Sequence, residues 1–192
     1  MVIFGDSITN GYGYQSASAS QILKEKCELL ASQNGLALDV RLHGLNGDTS
    51  QRAMERLPLV LKEEADRVFI FFGANDSANY EPISPVSFYR YLEDMVEQIG
   101  PKKVVLITPP YHNDKFEPDL RNNKNLLRYG EQTKAVGQAQ NVPVLDLHAT
   151  MSALTDPNLC LQADGLHFSE LGYEVLSELM VQFLIKEAKL KE

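Results

Sequence analysis

The sequence predicts an α/β fold in which helices cover both faces of a five-stranded parallel sheet, and three observations carry that prediction. Short β-rich runs alternate with helical patterns from one end of the chain to the other, the arrangement that right-handed βαβ crossovers produce. The strand expected at 67–72 is continuously apolar from Val68 to Phe72, as expected of a strand buried on both faces. No internal repeat, low-complexity tract or linker divides the 192 residues, so one domain spanning 1–192 is expected, long enough to close a sizeable core.

Taken in order, the first strand is expected at 2–4, cut off by Gly5. A helix follows over 20–33, with Ile22, Leu23, Leu29 and Leu30 apolar and Asn34-Gly35 as its stop. The second strand is expected at 38–42. A helix over 49–64 contains Pro58, which predicts a kink or break. The third strand is 67–72. Ser84-Pro85 reads as an N-cap with proline at the first helical position, and Gly100-Pro101 ends that helix. Residues 103–108 form the fourth strand, stopped by Pro109-Pro110, and 120–140 are helical. The fifth strand is expected at 142–147, and an amphipathic helix over 169–189 places Leu171, Val175, Leu179 and Phe183 on one face.

The long irregular stretches are 9–19, 74–83, 108–119 and 155–167. Three of them directly follow strands, and the last follows the fifth strand after a short helical pattern. Ligands of open α/β sheets lie outside the carboxyl ends of the strands, so all four stretches point to one rim, where chemistry is to be sought.

Composition narrows the partners. The 26 acidic and 18 basic residues give a net charge of -8, which disfavours nucleic acid because that affinity rests on Lys and Arg neutralising phosphates. The longest apolar runs are strand-sized, so no integral membrane segment is expected. The first residues lack a basic region, an apolar run and a cleavage site. If Met1 is the natural start, a cytoplasmic location is expected. Cys27 and Cys160 form no CxxC pair, and Cys27 reads as a small buried hydrophobe.

The strand ends carry the unusual residues: Gly5-Asp6-Ser7-Ile8-Thr9, Gly44-Leu45-Asn46-Gly47-Asp48-Thr49, Gly73-Ala74-Asn75-Asp76 and, before the final helix, Asp164-Gly165-Leu166-His167. Acyl-bond hydrolysis needs a nucleophile, a base, a group that orients the base, and donors aimed at the developing oxyanion. Ser7, taken alone in such a turn, reads as a helix N-cap. Asp164 and His167, three apart around Gly165, can turn to the same side, so that the carboxylate fixes the imidazole tautomer; the plainer reading is that Asp164 bonds loop amides. Gly47 offers a backbone N–H to a close ligand, and Asn75 a neutral amide donor; a turn glycine and a loop-forming Asx residue are their plainer readings.

These four segments, in this order, resemble the signature blocks of the SGNH hydrolases, also called GDSL lipases or esterases. Gly5-Asp6-Ser7 resembles the nucleophile block, Gly47 the glycine block, Gly73-Ala74-Asn75-Asp76 the GxND block and Asp164-Gly165-Leu166-His167 the DxxH block. Gly47-Asp48-Thr49-Ser50 is similar to the bacterial lysophospholipase/thioesterase branch. The stretch from Asp164 to Ser169 with Gly172-Tyr173 is similar to esterases acting on short acetate esters. The resemblance implies a flavodoxin-like three-layer α/β/α sandwich with Ser7 as nucleophile, His167 as base and Asp164 as its partner. It implies an oxyanion hole of the Ser7 N–H, the Gly47 N–H and the Asn75 amide, with no cofactor and no metal. A small-molecule ester or thioester is the expected substrate, cleaved through an acyl-enzyme. The alternatives are deacetylation of an acetylated carbohydrate, or a binding module that keeps the fold without turnover.

Other signals are set aside. Gly11-Tyr12-Gly13 lacks the third glycine of a dinucleotide loop and reads as a flexible site wall; no Walker A or G-x-S-x-G motif is present. His43, His112 and His148 lack metal-ligand spacing, and His112 reads as a solvated loop histidine. Asn75-Asp76-Ser77 matches a glycosylation acceptor and is discounted. Lys102-Lys103 reads as a solvated edge, and Phe69, Phe71 and Phe72 as sheet core. Substrate choice is placed in the loops 80–85 and 109–118, with Tyr12, Tyr80, Tyr111 and Phe116 as apolar walls. Oligomeric state has no signature in the sequence.

Overall fold

Every strand of the sheet runs parallel, in the order β2-β1-β3-β4-β5. The computed structural model describes residues 1–16, 19–80 and 82–190. Ala17 and Ser18 of the 9–19 loop and Glu81 of the 80–85 loop lie outside the described residues. The strands are β1 (Val2–Gly5), β2 (Arg41–Gly44), β3 (Val68–Phe71), β4 (Val104–Ile107) and β5 (Val144–Leu145). The helices are α1 (Ile22–Gln33), α2 (Ser50–Leu61), α3 (Pro85–Ile99), α4 (Asn123–Gln140), α5 (Leu147–Ser152) and α6 (Glu170–Lys189).

Side chains alternate across the sheet with period two, and each set meets its own helical layer. Ile3, Phe69, Phe71, Val105 and Ile107 join buried residues of α1, α5 and α6. Val2, Phe4, Val68, Ile70, Val104 and Leu106 join buried residues of α2, α3 and α4. The three-layer α/β/α architecture follows directly, since an apolar run has no solvated face. Each such side chain, fully buried, is worth about 1.5–3 kcal/mol. Thr49, Ser84, Asn122, Asp146 and Ser169 each accept a backbone N–H in the first turn of the helix they precede, contributing about 1 kcal/mol apiece.

Several boundaries move from their sequence expectations, for local reasons. The second strand runs Arg41–Gly44 rather than 38–42, because β1 offers partners only from Val2↔Arg41 to Gly5↔Gly44. The backbone of Val40 is bonded by helix side chains instead: its N–H donates to Glu28 and its carbonyl accepts from Lys24. The fifth strand shrinks to two residues, since Pro143 has no N–H to donate and Asp146 already caps α5. The helix expected from 120 begins at Asn123, behind the Asn122 cap. Helix α2 passes through Pro58 without a break and ends three residues later, at Leu61.

Two helix faces are also rotated from expectation. In α1 the buried positions are Ile22, Leu23, Cys27 and Ala31, while Leu29 is exposed. In α6 the core face centres on Tyr173, Leu176, Met180 and Leu184; Val175, Leu179 and Phe183 pack at its margin and Leu171 is exposed. An apolar stripe broader than one face leaves the orientation to packing rather than to pattern. Cys27 and Cys160 are both free and buried. Lys102 and Lys103 lie exposed on a 3₁₀ turn, Pro101–Lys103, at the start of β4.

Strand β1 pairs with β2 on one side and with β3 on the other. The chain therefore leaves β1 in one direction along the sheet and returns in the opposite one. That reversal opens a crevice at the carboxyl ends of β1 and β3. Ser7 lies just past the first of these ends and Asn75 just past the second.

Candidate active site

The rim crevice is a cavity of about 440 Å³. Its walls include Ser7, Gly47, Asn75, Asp164 and His167, so every sequence-predicted site residue faces one space. Ser7, buried to 6% exposure in the turn after β1, places its Oγ 2.9 Å from His167 Nε2. The two residues are 160 positions apart. His167 Nδ1 lies 2.6 Å from Asp164 Oδ2.

The loop holding Asp164 and His167 is a closed turn. Leu161 and Phe168 form an antiparallel bridge at its base, and the Gln162 N–H donates to the His167 carbonyl at 2.7 Å. Gly165 crosses the left-handed region at φ 74°, which glycine adopts at little cost. Asp164 does both things the sequence allowed. Its Oδ1 accepts the N–H groups of Leu166 and His167 at 3.0 Å each, while Oδ2 faces the imidazole.

Partial burial alone would raise the Asp164 carboxyl, but the bonds from the His167 ring and the loop amides outweigh it and hold the group well below the usual carboxylate range. An ionised carboxylate only accepts hydrogen bonds. In the neutral imidazole this places the proton on Nδ1 and a lone pair on Nε2, facing Ser7. The ring of Tyr12 lies against that of His167, with centroids 4.6 Å apart.

The other rim segments are cross-braced. Asp76 Oδ1 accepts from the Ser50 N–H at 2.9 Å and the Ser50 hydroxyl at 2.5 Å, and its Oδ2 accepts from the Gly73 N–H. Burial pushes the Asp76 carboxyl up to about 6, opposed by those Ser50 bonds. Arg56 grips Asp48 through Nε and Nη2, donates to the Gly5 carbonyl and sits over the Phe4 ring. Asn75 Nδ2 donates to the Asp48 carbonyl at 2.9 Å and lies 3.5 Å from Asp6 Oδ2. Gly47, at φ 71° with open space where a Cβ would stand, presents its backbone to the cavity. Among the described residues, neither the Ser7 N–H nor the Gly47 N–H donates to a protein carbonyl. Both remain available to a ligand.

Some wall residues depart from expectation. His112 is buried and lines the cavity, so it is not a solvated loop histidine; Asn123 pins the 109–118 loop by accepting its N–H and donating to its carbonyl. Of the four expected aromatic walls, Tyr12 faces the cavity. Tyr80 is half-exposed at the margin, its hydroxyl 3.4 Å from Asn75 Oδ1. Tyr111 turns away to bond Asn158, and Phe116 packs over Gly165. Asn75 is buried within the crevice, which leaves no room for a glycan. Asn46, Glu117, Arg121 and Leu166 also line the cavity. The sequence assigned them no role, because each sits in a loop or ahead of a helix with no chemical pattern of its own. Among the described residues no group of three His, Cys, Asp or Glu side chains is placed to hold a metal ion, and no helix is long and apolar enough to cross a membrane.

With this geometry in place, comparison with known proteins decides the family. Residues 3–175 match the GDSL-like Lipase/Acylhydrolase family. The chain belongs to that family. A crystal structure of a lipase/acylhydrolase from Enterococcus faecalis is 38% identical, with a TM-score of 0.91 over 97% of this chain and 95% of that one. An isoamyl acetate-hydrolyzing esterase 1 homolog from Rattus norvegicus is 30% identical over 200 residues, covering 92% of this chain and 77% of the relative. The isoamyl acetate-hydrolyzing esterase of Saccharomyces cerevisiae is 25% identical over 95% of this chain and 84% of its own length. An acetylxylan esterase from Geobacillus stearothermophilus shares the fold, with a TM-score of 0.74 at 23% identity over 94% and 91% of the two chains. Membership in the GDSL-like family and its esterase relatives support ester hydrolysis as the activity.

Proposed function

We propose that the protein is a serine esterase that cleaves small carboxylic esters or thioesters through an acyl-enzyme on Ser7. The reading rests on one observation above all: the Ser7 hydroxyl and His167 Nε2 lie 2.9 Å apart, although the chain separates them by nearly its whole length.

In this reading the Ser7 Oγ attacks the ester carbonyl while Nε2 takes its proton. Asp164 stabilises the imidazolium so formed and keeps Nδ1 protonated throughout. The carbonyl oxygen, gaining negative charge, is held by the Ser7 N–H, the Gly47 N–H and the Asn75 amide. His167 then returns the proton to the leaving alcohol or thiol, and the ester bond breaks to leave acyl-Ser7. Water, deprotonated by the same imidazole, releases the acid and restores Ser7. A non-catalytic binding module would have no need of the whole set. The acetate-cleaving names of the relatives and the cavity of about 440 Å³ favour a short acyl group.

The test is turnover of p-nitrophenyl acetate by the wild type and by Ser7→Ala. Loss of at least about 10³-fold in kcat, in a protein that still unfolds cooperatively, is expected. Equal rates for the two would remove Ser7 from the reaction.

A further inference from the structure

Asn75 can serve an oxyanion only if its amide is held with nitrogen forward. The two ends of a carboxamide are nearly the same size and differ in chemistry: Oδ1 accepts and Nδ2 donates. A half-turn about the last side-chain bond would present a carbonyl oxygen to a developing negative charge, turning attraction into repulsion.

The residues behind Asn75 decide that orientation. Arg121 is 6% exposed, lines the same cavity and reaches the GxND turn from just ahead of the α4 cap. Its Nε donates to the Ala74 carbonyl at 2.7 Å, and its Nη2 lies 3.4 Å from Asn75 Oδ1. A guanidinium has five donors and no acceptor, so the atom it meets must be the oxygen. The two contacts fall on the backbone carbonyl of residue 74 and the side-chain carbonyl of residue 75. One planar fork therefore fixes the amide relative to its own main chain, which a lysine ammonium, a single point, cannot do. At the far end Nδ2 donates to the Asp48 carbonyl. A flipped amide would set a carbonyl against that carbonyl and an NH₂ against a buried cation. Both ends would lose a bond at once, leaving buried polar groups unsatisfied.

We infer that Arg121 is a positioning residue of the oxyanion hole, a rigid fork that, with the half-exposed Tyr80 hydroxyl on the same Oδ1, keeps the Asn75 amide donor-forward. This rests on the proposed role of Asn75. Arg121 also ties the loop ahead of α4 to the turn after β3, so that loop contributes to turnover without touching the reacting atoms.

A double-mutant cycle on p-nitrophenyl acetate tests it with Arg121→Met, Arg121→Lys and Asn75→Ala. Arg121→Met is expected to lower kcat about 10–100-fold with KM within about twofold, because a transition-state interaction is lost and not ground-state binding. Arg121→Lys should recover less than half of that loss on a logarithmic scale, as charge without the fork. In the Asn75→Ala background Arg121→Met should cost less than about threefold more, since the group it orients is gone. Full additivity of the two losses would overturn the inference, as would wild-type kcat for Arg121→Met. A variant that merely unfolds loses activity equally in both backgrounds and so falls on the overturning side; melting curves of all five proteins identify it. If Asn75→Ala alone turns over at the wild-type rate, the reading of the oxyanion hole fails, and the inference about Arg121 falls with it. If Asn75→Ala is impaired and Arg121→Met is not, the inference alone fails.

Discussion

The Tyr173 hydroxyl donates to the Ile8 carbonyl at 3.1 Å, inside the protein. This bond ties the first turn of the last helix to the residue after Ser7, and Phe168, one residue past His167, packs edge-on against the same ring. The two halves of the proposed Ser–His pair are thus braced against one another by a single buried tyrosine. Tyr173→Phe keeps the ring and removes this bond, leaving the Ile8 carbonyl with the Gly11 N–H alone. A stability loss of about 1 kcal/mol is expected, with kcat falling more than KM rises. Chemical denaturation and steady-state kinetics on the same preparation check both; an unchanged kcat would separate the brace from catalysis.

Asp6 gives the molecule a pH dependence with a definite sign. Burial pushes its carboxyl up to about 7, opposed mainly by the Ile8 N–H bond. The folded state therefore holds this proton more tightly than the unfolded chain, where the group sits near 3.8. Its contribution to stability is complete below about pH 4 and is lost as pH rises through about 7. Asp76, pushed up to about 6, adds a loss of the same sign. Asp6→Asn should therefore flatten part of the decline between pH 5 and pH 8, seen as a smaller difference in urea midpoint. An equally steep decline in the variant would assign the effect elsewhere.

Asp164 works with the opposite sign. Its carboxyl is held well below the usual range, so its contribution is present at neutral pH and fades as acid takes the group from the unfolded range down through its folded value. Asp164 is also half-exposed, so its larger effect should be on turnover. Asp164→Asn removes the acceptor that keeps Nδ1 protonated, and kcat is expected to fall at least about tenfold with little change in melting temperature. A wild-type kcat in that variant would show that the imidazole is oriented by the loop and by Tyr12 alone.

Gly165 tests how much the closed turn matters. An added Cβ would stand 2.9 Å from the Phe116 ring, at a backbone φ of 74°. Gly165→Ala should cost about 1–2 kcal/mol and lower kcat, because Asp164 and His167 flank the strained position. Thermal unfolding together with acetate-ester kinetics checks it. A destabilised protein of undiminished kcat would show that the turn carries stability only.

The architecture and the proposed site residues were legible in the sequence for a simple reason. Continuously apolar strands, buried on both faces, and four short motifs at strand ends are local patterns, and the topology that gathers them follows from βαβ handedness. The parts that were not legible depend on neighbours distant in the chain. Val40 leaves the sheet because Lys24 and Glu28 take its backbone groups, which no pattern around residue 40 announces. His112 is a wall because Asn123 pins its loop. Arg121, one cation ahead of a helix cap, has no local feature to separate it from a solvated side chain; its meaning lies in the Ala74 and Asn75 carbonyls, nearly fifty residues away.

The acyl preference should follow the cavity. About 440 Å³, shared with the leaving group, suits short chains, and kcat/KM for p-nitrophenyl acetate and butyrate should exceed that for the dodecanoate by at least about tenfold, at roughly 1–3 kcal/mol for misfit at a pocket. A rate that climbs with chain length would place the acyl group outside this cavity.

The most direct test is covalent trapping. A fluorophosphonate reacts with a serine whose proton is taken by a neighbouring base, and intact mass with peptide mapping locates the adduct. The account predicts one adduct per chain on Ser7 in the wild type, and none in His167→Ala over the same time. An adduct on another residue, or equal labelling of the two proteins, would contradict it.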